Sequence, residues 1–106
     1  MNLVSINKVL SVPEENPEGW FYLPPDESSW NLNTEGVFSL DSADFLPDSD
    51  EFLPIQAKEN GWIETLDNGL IEEIIENAKA QLGNPSTDDL FTAFIFYVQH
   101  DAFIEF

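Results

Sequence analysis

Apolar residues recur along this chain at two periods, and the switch between them marks out the elements. Near the start, Leu3, Ile6, Val9 and Leu10 stand at helical spacing, which predicts a short helix over residues 2–10 that Pro13 stops. Residues 12–19, with Pro13, Pro17 and polar neighbours, predict a loop. The run Gly19-Trp20-Phe21-Tyr22-Leu23 is dense in aromatics and is closed by Pro24-Pro25, which predicts a strand. Ser29-Trp30-Asn31-Leu32-Asn33 alternates apolar and polar, as a half-buried strand does. Glu35-Gly36 carries a turn signal, and Gly36-Val37-Phe38-Ser39-Leu40 alternates again. These three runs predict a small antiparallel meander.

The second half is helical. Glu59-Asn60-Gly61 reads as a turn, and the following Trp62-Ile63-Glu64-Thr65-Leu66 fits either a fourth strand or the entry to a helix. Over residues 67–82, Leu70, Ile71, Ile74, Ile75, Ala78 and Leu82 form one apolar stripe at the 3.6-residue period. Glu72, Glu73 and Glu76 fall early in that segment and Lys79 late, as the helix dipole favours. Gly83 supplies a C-terminal cap and Pro85 blocks continuation. A second helix is predicted from Ser86 or Thr87 to about His100. Ser86 and Asp89 have capping-box spacing, and Leu90, Phe91, Phe94, Tyr97 and Val98 make the buried side. The ending Ala102-Phe103-Ile104-Glu105-Phe106 is too apolar for a solvated tail and is expected to pack on the domain. The element order predicts an α+β fold in one domain over residues 1–106. A small antiparallel sheet of three to four strands carries two C-terminal helices and a short N-terminal helix.

Charge changes the picture more than composition does. The 106 residues are 42% hydrophobic and 13% aromatic, which is enough to build a core and argues against a disordered acidic chain. Lys8, Lys58 and Lys79 are the only basic residues against 21 Asp and Glu, and the formal net charge is −18. Nucleic acids and anionic membranes are bound by neutralising phosphates, so both are disfavoured as partners. A cationic protein is favoured, and opposite charge speeds its encounter. With no cysteine there is neither a disulfide framework nor a thiolate metal site, which fits a cytoplasmic protein. Neither a signal peptide nor a membrane span is expected.

Catalytic chemistry finds little support in the sequence. His100 is the only histidine. Its neighbour Asp101 cannot face it on a helix, so a cation near the helix C-terminus is the simpler reading. There is no Gly-x-Ser-x-Gly elbow and no phosphate-binding glycine loop. Without arginine there is no bidentate clamp for a phosphate or carboxylate substrate. A calcium loop begun at Asp48 would place Asp50 third and Glu59 twelfth. It would also put Leu53 where glycine is required and Pro54 just after, so it fails at its turn. No catalytic residue, metal site or cofactor is expected.

The stretch 41–51, Asp-Ser-Ala-Asp-Phe-Leu-Pro-Asp-Ser-Asp-Glu, has five carboxylates among eleven residues and no base. Phe45-Leu46 and Phe52-Leu53 lie in and just after it, each followed by proline. This combination suits an acidic segment pinned to a core rather than a free tail. Asp41, Asp44, Asp48, Asp50 and Glu51 are therefore the candidate partner-binding carboxylates, with Trp30 as an aromatic anchor. Three other acidic groups compete with them: Asp26-Glu27, Glu72-Glu73-Glu76 and Asp88-Asp89.

In size, charge, the Gly61-Trp62-Ile63 lead into the helix after it, and the ending Asp101-Ala102-Phe103-Ile104-Glu105-Phe106, the chain resembles a known type. It is similar to the small acidic immunity proteins of bacterial polymorphic-toxin and contact-dependent growth inhibition systems. The resemblance implies a cytoplasmic, non-enzymatic protein that binds one cognate toxin, often a nuclease, in a 1:1 complex and blocks it. Two other readings remain open. A DNA mimic aimed at restriction or nucleoid proteins would use the same electrostatics but needs carboxylates spaced along an extended face. A small enzyme or metal-dependent regulator would need chemistry that the residues above do not supply.

Overall fold

The computed structural model describes residues 3–39 and 53–106. Among these the elements run β1 (Val4–Ser5), α1 (Ile6–Ser11), β2 (Trp20–Leu23), β3 (Glu35–Phe38), α2 (Ile55–Asn60), β4 (Ile63–Asp67), α3 (Asn68–Leu82) and α4 (Thr87–His100). Single 3₁₀ turns occupy Pro13–Glu15 and Glu27–Ser29. The four strands form an antiparallel sheet in the order β1-β3-β2-β4. The fold is α+β, with α1 and the two C-terminal helices packed on the sheet.

One face of the sheet and three helices share the core. Phe21, Leu23, Phe38 and Leu66 come from the sheet. Ile6, Val9 and Leu10 come from α1, and Ile71, Ile74, Ile75 and Ala78 from α3. Leu90, Ala93 and Phe94 come from α4. Phe21 sits at the centre, stacked on Phe38 at a centroid distance of 4.8 Å and edge-on to Phe94 at 6.4 Å.

The helix stripes predicted for α3 and α4 are the buried faces, except that Leu82 at the end of α3 is 40% exposed, and the caps predicted at Gly83 and Ser86 form. The Asp67 carboxylate accepts from Leu70 N at 2.7 Å. Ser86 Oγ accepts from Asp89 N, and Asp89 Oδ2 accepts from Ser86 N, a complete capping box. Past α4, the Gln81 side chain holds the end of the chain. Its amide donates to Ile104 O at 2.8 Å, and its carbonyl accepts from Phe106 N at 2.9 Å. Ile104 packs on the core and the Phe103 ring meets Tyr97, while Phe106 stays exposed.

Elsewhere the structure corrects the sequence expectations. The N-terminal helix starts at Ile6, not at residue 2, because Val4 and Ser5 pair with Gly36 and Glu35 of β3. Its first amides donate into the 32–34 loop, Ile6 N to Thr34 O and Asn7 N to Leu32 O, which satisfies groups that a helix start leaves unpaired. Residues 29–33 are no strand. The Asp26 carboxylate accepts from Ser28 N and Ser28 Oγ, Asn31 Oδ1 from Asn33 N, and Thr34 Oγ1 from Asn31 N. These local bonds compete with a ladder and turn the backbone away from it. The pairing is thus not a sequential meander, since β1 lies beyond β3.

Glu35-Gly36, expected as a turn, lies within β3, and glycine is there for space: a Cβ on Gly36 would sit 2.5 Å from the Phe21 ring. Glu59-Asn60-Gly61 is the end of α2, where Gly61 takes the left-handed cap at φ 69°. None of the α2 residues is buried, so no apolar stripe announced it. The ambiguous 62–66 run is β4, with a register shift opposite Phe21. Two residues, Thr65 and Leu66, occupy the span that faces Phe21, as in a bulge. Thr65 Oγ1 donates to Phe21 O at 2.6 Å, and Leu66 is thereby sent to the core side.

Candidate partner-binding surface

Of the residues expected to bind a partner, Asp41, Asp44, Asp48, Asp50 and Glu51 lie outside the described residues. Trp30 is described, and it is a core residue. It is 6% exposed, and its indole Nε1 donates to Pro24 O at 2.8 Å. The side chain therefore has a structural partner for its one donor and little area left to offer a second protein.

The remaining sixteen carboxylates are described, and fourteen of them are exposed; Asp67 and Asp89 are half-buried. Three do local structural work: Asp26, Asp67 and Asp89 cap a 3₁₀ turn, α3 and α4. Among the competing groups, this leaves Glu27, Glu72, Glu73, Glu76 and Asp88 as the carboxylates free of backbone capping. Glu72, Glu73 and Glu76 lie on the exposed side of α3, away from buried Ile71, Ile74 and Ile75. Glu14, Glu15 and Glu18 follow α1, all exposed. The acidic surface is thus assembled from several elements rather than from one helix.

Three lysines cannot neutralise this charge: even if each pairs fully, eighteen carboxylates remain. The consequence is self-repulsion within the folded chain and a field that extends into solvent. Salt should relieve the first. We expect the melting temperature to rise steadily as NaCl increases from about 0.01 M to about 1 M, as the screening length drops from about 30 Å to about 3 Å. Thermal melts followed by circular dichroism test this; a melting temperature that fell with salt would show attraction, not repulsion, to dominate.

One carboxylate is tied to a buried phenol. Tyr22 and Glu64 are opposite each other in the β2–β4 ladder, and Tyr22 Oη donates to Glu64 Oε2 at 3.2 Å. Burial first, then the Glu64 charge and the hydrogen bond, push the Tyr22 pKa from 10.0 up to about 12. The folded chain therefore holds this proton more tightly than the unfolded chain. The associated stability is intact below pH 10 and is lost as pH rises towards about 12. Tyr22→Phe should flatten the alkaline fall in urea midpoint across that window; an unchanged slope would mean that the pair is not formed.

His100 is exposed at the end of α4 with its ring 4.4 Å from that of Phe96, one turn back. No group of three or more His, Asp or Glu residues among the described ones could hold a metal ion. No helix among the described residues is long and apolar enough to cross a membrane.

Sequence reasoning missed a cavity of about 720 Å³ beside the β1–β3 edge. Its lining comes from three separate stretches, residues 3–8, 15–18 and 33–39. No linear motif could have announced it, because it exists only once β1 pairs with β3. Trp20, at 41% exposed, is more accessible than Trp30, the anchor expected from the sequence. Trp20 is on the sheet face opposite Phe21, which strand alternation alone implies.

Residues 3–106 match the family described as Domain of unknown function (DUF7716). The chain belongs to this family, which the match covers almost end to end. No curated protein and no solved structure is detectably similar to it.

Proposed function

We propose that this protein is a non-enzymatic inhibitor of the immunity type, which neutralises a basic toxin by covering the cationic site where that toxin binds its substrate. The observation that carries the reading is the pairing of a −18 net charge with near-complete exposure of the described carboxylates. Such a surface presents to a nuclease cleft the same sign of charge as a phosphate backbone. Long-range attraction raises the on-rate, and apolar anchors slow dissociation.

The carboxylates of 41–51 remain the first choice for the face in contact. Trp20 has the exposed ring area for an anchor, and it replaces Trp30 in that role. No cofactor takes part. The complex forms in the cytoplasm at 1:1.

The partner is best sought in the reading frame adjacent to this one. Co-expression with that product should abolish its toxicity and yield a complex of one copy each by size-exclusion chromatography with light scattering. Changing Asp44, Asp48, Asp50 and Glu51 together to Asn or Gln should lower affinity and on-rate. If affinity and on-rate are unchanged, the contact face lies elsewhere. If the protein instead inhibits unrelated DNA-binding proteins and spares the adjacent product, DNA mimicry is the correct reading.

A further inference from the structure

We infer that the 720 Å³ cavity beside the β1–β3 edge is a socket for an arginine- or lysine-bearing segment of the partner, with an apolar residue next to the cation. This rests on the proposed binding of a cationic protein and assigns that protein's docking point. The floor joins apolar and polar surface: Val37, Phe38 and Ser39 line the cavity and are 1%, 6% and 4% exposed. Leu3 and Val4 add apolar area at the side.

The polar lining is mostly spent on the fold itself. Ser39 Oγ accepts from Trp20 N, Ser5 Oγ from Lys8 N, and Asn16 Nδ2 donates to Val9 O. What remains is the charge of exposed Glu15, Glu18 and Glu35, set against Lys8 on the same lining. Among the described lining residues the surplus is two negative charges, beside the apolar area of Leu3, Val4, Val37 and Phe38. A ligand that satisfies both parts carries a cation and an apolar body.

At about 720 Å³ the cavity has room for several side chains of a docked segment. An arginine is the better fit to a carboxylate because its planar guanidinium donates to both oxygens at once. Its stem can lie along apolar surface while the head reaches the rim.

The test is an amide NMR titration of the full chain with two blocked peptides, acetyl-Ala-Arg-Leu-Arg-Ala-amide and its glutamate counterpart acetyl-Ala-Glu-Leu-Glu-Ala-amide. It is repeated on two triple variants that each remove three charges. One is Glu15→Gln with Glu18→Gln and Glu35→Gln; the other is Glu72→Gln with Glu73→Gln and Glu76→Gln on α3. The arginine peptide should shift the amides of Val4, Val37, Phe38 and Ser39. Its affinity should fall about fivefold or more in the cavity variant and less than about twofold in the α3 variant, where only screened long-range charge is lost. Shifts confined to α3 or α4, or equal losses in the two variants, would overturn the socket and leave the cationic-partner reading intact. Equal binding of the arginine and glutamate peptides would overturn both. The spectrum of each variant reports its folding directly, so loss of structure is not mistaken for loss of binding.

Discussion

Phe21→Ala is expected to lower folding stability by about 3–5 kcal/mol, the range for removing a fully buried aromatic ring. Phe21 is 0% exposed and bridges all the layers of the core. It stacks on Phe38 of the neighbouring strand and meets Phe94 of α4 edge-on. Its loss removes both ring contacts and leaves a cavity that the sheet cannot close, since its backbone is fixed by pairing to β3 and β4. A domain of this size has only about 5–15 kcal/mol in hand. The variant should therefore unfold at a far lower urea concentration, with a melting temperature many degrees lower. A change below about 1 kcal/mol would mean that the Phe21 ring is not at the centre of the core.

Gly36→Ala is expected to be costly for the opposite reason. The added Cβ would lie 2.5 and 2.6 Å from two ring carbons of Phe21 and 2.7 Å from Tyr22 O. A ring can shift, but the carbonyl belongs to the adjacent strand and moves only with the ladder. Overpacking of this kind costs about 1–3 kcal/mol, and Gly36→Val should exceed it. The two sites are in contact, so their effects should not add. With the ring gone in Phe21→Ala, the methyl of Gly36→Ala regains part of its space. The double variant should be more stable than the two single losses predict, by about 0.5 kcal/mol or more. Strict additivity in urea unfolding would show that the Tyr22 carbonyl alone sets the cost.

The difference between what the sequence disclosed and what it hid follows from range. α3 and α4 were legible because their signals are local: a stripe at 3.6 residues in each, Gly83 and Pro85 behind the first, and capping-box spacing from Ser86 to Asp89 ahead of the second. β2 was legible from its aromatic density. β1 was not, because two residues make a strand only by pairing with Glu35 and Gly36, thirty positions away. Residues 29–33 alternate like a strand, yet Asn31, Ser28 and Thr34 bind their own neighbours. Leu66 shares the parity of Glu64 in sequence but goes to the core through the β4 irregularity.

The candidate surface divides in the same way. Its sign was evident from composition, because no arrangement of three lysines conceals 21 acids. Which acids cap helices needed the backbone geometry, as Asp26, Asp67 and Asp89 show. The Trp30 side chain looked available because Trp is common at interfaces. Only the fold reveals that its ring is buried and its donor committed to Pro24.

We propose that the net charge serves association with a cationic protein. The most direct measurement is the stopped-flow association rate with the product of the adjacent reading frame, taken across ionic strength. The expected rate is about 10⁸ M⁻¹s⁻¹ or above at low salt, falling steeply as salt is added while the dissociation rate changes little. An association rate near about 10⁵–10⁶ M⁻¹s⁻¹ that is flat in salt would contradict it.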